Sequence, residues 1–413
     1  MNISLYTLTS PLHDENSVNA SSAVFIAQIE AELGAHMDFR GPDFAEYGTG
    51  ALDVIYVRTG GTEGLFKEVY PRLKGQVLLL TSGKSNSLAA SMEILSYLNQ
   101  QGRKGEIIHG THAYIAERLR LLSKVHDARQ FLNGKNLGII GKPSDWLISS
   151  EPDKVALKEL LGLNLVDVPI DELIELVRSD EDLSAYSHPE METIVQNTPA
   201  AIRKYTKGAF RIYQALKKII EKYQLSGMTL RCFDLLTAAE NTGCLALALL
   251  NAEGIPAGCE GDVPTLVTMT AGYALTGQCG FQCNPSRIDP QSGELLLAHC
   301  TVPMDMIRSY SLNTHFESGI GIAIHGEIPE GDATIFKLSG DLARNFVSKA
   351  NLTGNPYEKS LCRTQITLKL EGTNASGQSI CQDYFLTSPI GNHHVVFTGN
   401  QCELFKAFCA TLS

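Results

Sequence analysis

The chain has 413 residues, 44% of them apolar and 19% charged, and a formal net charge of −11. This length exceeds one ordinary domain, and the apolar content builds a folded core, which excludes a disordered chain. The acidic balance excludes an electrostatic footprint for nucleic acid or an anionic membrane and fits a protein handling a neutral or cationic small molecule.

The first 135 residues alternate apolar runs with amphipathic segments. "ALDVIYVRTGG" (51–61) and "QVLLLTSG" (76–83) read as β-branched strands ending in glycine turns. "SLAASMEILSYLNQQG" (87–102) carries helical spacing at Leu88, Met92, Leu95 and Leu98, and "THAYIAERLRLLSKVHDARQFL" (111–132) is a long helix with Thr111 as its N-cap. A second alternation begins at "NLGIIGKPSDWLI" (136–148), followed by the helix "DKVALKELLGL" and the strand "NLVDVPI". A polar stretch (178–197) leads to a basic amphipathic helix (199–222), then to "MTLRCFDLLTAAENTGCLALALLNAEGIPAGCEGD", read as strand, helix and short strand. From about residue 285 the segments "LLLAHCTV", "GIGIAIHGEI", "DATIFKLSG", "RTQITLKLEG" and "HHVVFTG" read as strands. The expected fold is α/β: two doubly wound parallel-sheet (Rossmann-like) domains, 1–135 and 136–284, followed by a β-rich antiparallel C-terminal domain, 285–413. The start "MNISLYTLTS" has no secretory pattern, and "CLALALL" (244–250) is far too short to cross a bilayer. All ten cysteines lie between Cys232 and Cys409 and read as buried reduced thiols, so a cytoplasmic protein is expected.

Three common motifs fail on spacing. "TSGKSNS" has Leu78 where a phosphate loop needs glycine, "GIGIAIHG" has Ile324 where a dinucleotide fingerprint needs its third glycine, and no GxSxG elbow occurs. Cys279 and Cys283, with His299 and Cys300, hold four soft ligands within 22 residues, but their spacing matches no strong zinc template.

"PAGCEGDVPTLVTMTAGYALTG" (256–277) places Glu260 and Asp262 two positions apart at a strand-to-helix joint. Asp262 precedes a helix with Pro264 in its first turn and Gly277 at its stop, and it reads as the N-cap. Glu260 lies outside the cap at the carboxyl end of a strand, where open α/β sheets place their ligands; the alternative is a solvated turn glutamate. His299 ends an apolar strand and His393-His394 follow a glycine turn, so a carboxylate and two histidines fall at three strand ends, a donor set for a divalent metal.

The stretch 254–300 resembles the metal-site segment of the L-fucose isomerase / L-arabinose isomerase superfamily, whose members carry a glutamate after a strand and then a helix with "GYxLT". Here these are Glu260 and "GYALT" (272–276). The resemblance implies metal ligands at Glu260, Asn284, His299 and His393, with His394 as the alternative to His393. Asn284 stands where fucose isomerases carry an aspartate, and an amide brings neither charge nor basicity. The second carboxylate is then Asp262 or Glu317. The resemblance further implies a metal-dependent aldose–ketose isomerase acting on a pentose or deoxyhexose through an enediolate. Mn²⁺ is the expected ion, with Co²⁺ or Mg²⁺ as alternatives. Glu260, Asp262 and Glu317 are the expected catalytic groups, and His315, Arg58 and Asn392 the expected sugar contacts. The resemblance also implies a homo-oligomer, a trimer or hexamer, in which "RTGG" (58–61) with Arg58, or "SGKSNS", reaches a neighbour's site. The competing expectation is a non-catalytic sugar sensor on the same fold.

Overall fold

Runs such as LDVIYV and VLLLT are apolar on both faces because both faces of their sheet are covered. They are β3 (Leu52–Val57) and β4 (Val77–Thr81), beside β1 (Ile3–Leu8), β2 (Asp38–Gly41) and β5 (Gly105–Ile108), in the parallel order β2-β1-β3-β4-β5. Helices Glu15–Leu33 and His112–Leu132 bury Phe25, Ile29, Ile115 and Leu119 on one face. Helices Glu63–Val69 and Ser87–Gln100 bury Phe66, Ala90, Ile94 and Leu98 on the other. The helix Glu15–Leu33 is absent from the sequence reading, because its Asn, Ser and Ala positions leave only a thin apolar stripe; Asp14 caps it and Gly34 ends it.

The computed structural model describes residues 1–370, 372 and 380–412, and the chain divides into two units, Met1–Asp127 and Ala128–Ser413. The second unit opens with a parallel sheet of β6 (Asn136–Ile140), β7 (Asn164–Val168), β8 (Leu225–Leu230) and β9 (Ala257–Cys259), in the order β7-β6-β8-β9. It continues into β10 (Phe281–Asp289) and β11 (Glu294–His299), the separate antiparallel pair β12 (Ser309–Asn313) and β13 (Ala323–Glu327), and then β14 (Gly331–Leu338), β15 (Asn345–Gly354), β16 (Thr364–Leu370) and β17 (His394–Thr398). The mixed α/β architecture with an antiparallel β-rich end is as expected. The β-rich part closes on itself as a six-stranded barrel, β10-β11-β16-β15-β14-β17, which leaves no open sheet edge. A final helix, Cys402–Ala410, is missing from the strand-only reading of this region; it buries Phe405 and Phe408.

The helix Val263–Thr276 joins the sheet to the barrel, packing against β8, β9, β14 and β17, and is buried along almost its whole length. Gly272 lets it approach β17, since a Cβ there would lie 2.1 Å from the Phe397 ring. The chain turns from β9 into this helix through two left-handed residues, Glu260 (φ 64) and Gly261 (φ 73), and then Asp262, whose carboxylate accepts from Thr265 N at 2.8 Å. Gly261 has no alternative: a Cβ would meet the Lys142 carbonyl oxygen at 2.6 Å. Glu260 occupies the left-handed region without that excuse, at a cost of about 1–2 kcal/mol that the joint must offset.

Candidate metal centre

Each candidate ligand comes from a rigid element. Glu260 follows β9, His299 is the last residue of β11, and His393 immediately precedes β17. His299 is 3% exposed and His393 0%, so neither ring is solvated. Nε2 of His299 lies 3.7 Å from Glu260 Oε1, Nε2 of His393 lies 3.5 Å from the same oxygen, and the ring centroids are 5.4 Å apart. These are charge contacts rather than hydrogen bonds. Both Nε2 atoms are buried without a hydrogen-bond partner.

The far side of each ring is occupied. His393 Nδ1 lies 2.9 Å from Asp262 Oδ2, and His299 Nδ1 lies 3.0 Å from the Thr301 hydroxyl. Burial raises the Asp262 carboxyl, but the Lys337 ammonium and the His393 contact outweigh it and hold it well below the usual carboxylate range. An ionised carboxylate only accepts, so the His393 Nδ1 carries a proton and directs Nε2 inward. Two buried nitrogens without partners and a carboxylate oxygen, all within 4.8 Å of one another, form a donor set that fits a divalent cation. Among the described residues this is the group of three His, Cys, Asp or Glu side chains so arranged.

Without metal, the same geometry draws a proton. Burial lowers the His393 pKa, but Asp262 and Glu260 together raise it from 6.5 to about 9. His299 is lowered, mainly by burial, against the pull of Glu260. Burial likewise opposes ionisation of Glu260, yet the two histidines depress its carboxyl far below the usual range. A cation must therefore displace the His393 Nε2 proton. Apparent Mn²⁺ affinity is expected to rise by about tenfold per pH unit from pH 6.5 and to level off near 9. Calorimetry in buffers of different ionisation enthalpy checks this as proton release, and a flat profile over that window contradicts it. The folded pKa of His393 lies above its ordinary value. Its contribution to metal-free stability is therefore full below pH 6.5 and is lost as pH rises through about 9.

The remaining sequence-singled residues fall at different distances from this centre. Asp262 is wholly buried behind His393. Asn284, opposite Ala298 beside a β10–β11 bulge, accepts through its amide oxygen from the exposed Asn392 at 3.0 Å. His394 points elsewhere: its Nε2 is 2.9 Å from the Tyr384 hydroxyl, within a cluster of Phe346, Tyr384 and Phe385. His315 is buried edge-on to Phe233 at 5.8 Å, and burial, with His299 and Arg363 adding to it, lowers its pKa to about 4. Glu317, exposed in the same loop, has its carboxyl raised by partial desolvation and by the Glu260 charge. Arg58 belongs to the first unit, where its buried guanidinium donates to Ser22 and Asn19. There it lines a cleft of about 520 Å³ with Ser10, His13, Glu15 and Glu68. Cys279 and Cys283 are buried thiols whose pKa burial pushes up, which keeps them protonated and poor as metal ligands.

Three contributors escape the sequence reading. Trp146, the sole tryptophan, donates its indole N–H to Glu260 Oε2 at 2.7 Å. Lys337, 1% exposed, donates to the Thr265 hydroxyl at 2.6 Å and lies 3.8 Å from Asp262. A lysine in phase with Ala333 and Ile335 along an apolar strand is the signal that could have found it. Thr301, two residues past His299, has no sequence signal of its own.

No protein-family model matches the chain. Its sequence is similar to the sulfoquinovose isomerase of Clostridium sp. (strain MSTE9), 27% identical over 246 residues that cover 57% of this chain and 50% of that enzyme. The chain thus spans about half the length of the curated relative it matches. No helix among the described residues is long and apolar enough to cross a membrane. The chain is accordingly a homologue of a curated sugar isomerase, in keeping with its resemblance to the L-fucose isomerase / L-arabinose isomerase superfamily.

Proposed function

We propose that the protein is a metal-dependent aldose–ketose isomerase acting on an open-chain pentose, deoxyhexose or related sugar. The observation that carries this reading is the pair of buried, unpartnered Nε2 atoms facing one oxygen of Glu260. Glu260, His299 and His393 would hold the ion, with Asn284 beside them. A divalent cation, Mn²⁺ foremost and Co²⁺ or Mg²⁺ as alternatives, supplies Lewis acidity toward adjacent sugar oxygens when bound. Glu260 serves as the base that carries a proton between C1 and C2. Glu317, with its raised carboxyl, suits proton exchange with the sugar oxygens. Asp262 and Lys337 keep His393 oriented, and His315 and Asn392 present hydrogen-bonding groups to hydroxyls. The reading extends to a cytoplasmic homo-oligomer, in which the cysteines stay reduced and the cleft that Arg58 lines faces a neighbouring copy.

Asn284 favours a second reading, a sugar-binding protein without turnover, because it stands where fucose isomerases carry a carboxylate. The two are separated by incubating the protein with Mn²⁺, Co²⁺ or Mg²⁺ and a panel of pentoses, deoxyhexoses and sulfoquinovose, the sugar in the relative's name. Ketose formation that a chelator abolishes is the expected result. Sugar binding without any ketose product sinks the isomerase reading and leaves the binding one.

A further inference from the structure

We propose that Trp146 is a positioning residue for Glu260, whose indole N–H pins one carboxylate oxygen so that the other alone faces the two histidines. This rests on the reading of Glu260 as a metal ligand. The terminal torsion of a glutamate is broad and two-fold, so an unrestrained carboxylate turns freely and exchanges its oxygens. Here Oε2 accepts from the Trp146 indole at 2.7 Å, a hydrogen bond to a charged acceptor, while Oε1 lies 3.5 and 3.7 Å from the two Nε2 atoms. A carboxylate offering one oxygen takes one position around a cation instead of two, which leaves more positions for substrate oxygens.

The indole is itself held. It stands edge-on against Phe233, with ring centroids 4.9 Å apart. Its loop is fastened by Arg231, which donates to the Pro143 carbonyl at 2.6 Å and to Asp145 at 3.0 Å. The same loop grips the glutamate's main chain, since Ser144 N donates to the Glu260 carbonyl at 2.9 Å. One short segment after β6 thus clamps both the backbone and the side chain of the left-handed Glu260. Core packing does not explain the tryptophan, because 51% of it is exposed. What fixes it is its polar tip, which donates to the carboxylate.

The test uses the full chain, whose single tryptophan gives a single indole N–H resonance in a ¹⁵N-labelled sample. Glu260→Ala is expected to move that resonance upfield, with the rest of the spectrum folded. Trp146→Phe, tolerable at a half-exposed position, is expected to weaken Mn²⁺ binding measured by calorimetry by about 10–100-fold. An indole resonance unmoved by Glu260→Ala, or Mn²⁺ affinity unchanged in Trp146→Phe, overturns the proposal. If the wild-type chain takes up no Mn²⁺, the metal-ligand reading of Glu260 falls, while the indole resonance still decides whether Trp146 holds the carboxylate.

Discussion

Glu260→Gln is expected to abolish stoichiometric divalent-metal binding and to lower sugar turnover by about 10²–10⁴-fold. The substitution keeps the side chain's shape and its capacity to accept from Trp146 at Oε2. It removes the negative charge that faces His299 and His393 Nε2 at 3.7 and 3.5 Å. Two buried nitrogens would then lack the anion that balances a cation between them, and the base for C1 and C2 would be gone. Metal content measured after dialysis against Mn²⁺ reads the first effect, and sugar turnover reads the second. His299→Ala should lose the metal in the same way, whereas Cys279→Ser and Cys283→Ser should retain it. Zinc that disappears only with the cysteines would place the metal elsewhere and reject the assignment.

Lys337→Met is expected to destabilise the protein by about 3 kcal/mol, the low end of the cost of breaking a buried ion pair, because His393 remains beside Asp262. Lys337 and Asp262 are 1% and 0% exposed, and the lysine pKa is lowered chiefly by burial, with Asp262 opposing that shift. Methionine fills a similar volume but leaves the Asp262 carboxylate with one fewer cationic neighbour. The deficit should widen as pH rises through about 9, where metal-free His393 gives up its proton. Denaturant unfolding followed by tryptophan emission reads this directly, since the sole tryptophan, Trp146, lies in the second unit. A midpoint unchanged from wild type would mean that Asp262 does not depend on Lys337 for its charge.

Much of the candidate site was legible along the chain because strand ends announce themselves. Glu260, His299 and His393 each stand at the edge of an apolar run beside a turn, and the carboxyl ends of strands are where ligands gather. The joint 259–263 was legible in its cap as well, since Asp262 does cap the helix. Its second role, behind His393, was not: the two residues are 131 positions apart, and local spacing says nothing about such a pair. His393 and His394 are equivalent as sequence neighbours. Only His394 begins β17, and the fold sends one ring toward Glu260 and the other into the Phe346, Tyr384 and Phe385 cluster.

By itself the sequence determined the alternation of strands and helices, the change to antiparallel strands near residue 285, and Glu260 and His299 as side chains able to bind a cation, with His393 and His394 left as alternatives. Hydrophobic periodicity and turn chemistry are local properties, and they survive being read one segment at a time. The tertiary structure alone decided that Glu260, His299 and His393 converge, that Trp146 and Lys337 serve them, and that the barrel closes. Each of those depends on contacts between segments far apart in the chain. There a half-exposed tryptophan or a lysine in an apolar strand acquires its role only from what the fold sets opposite it.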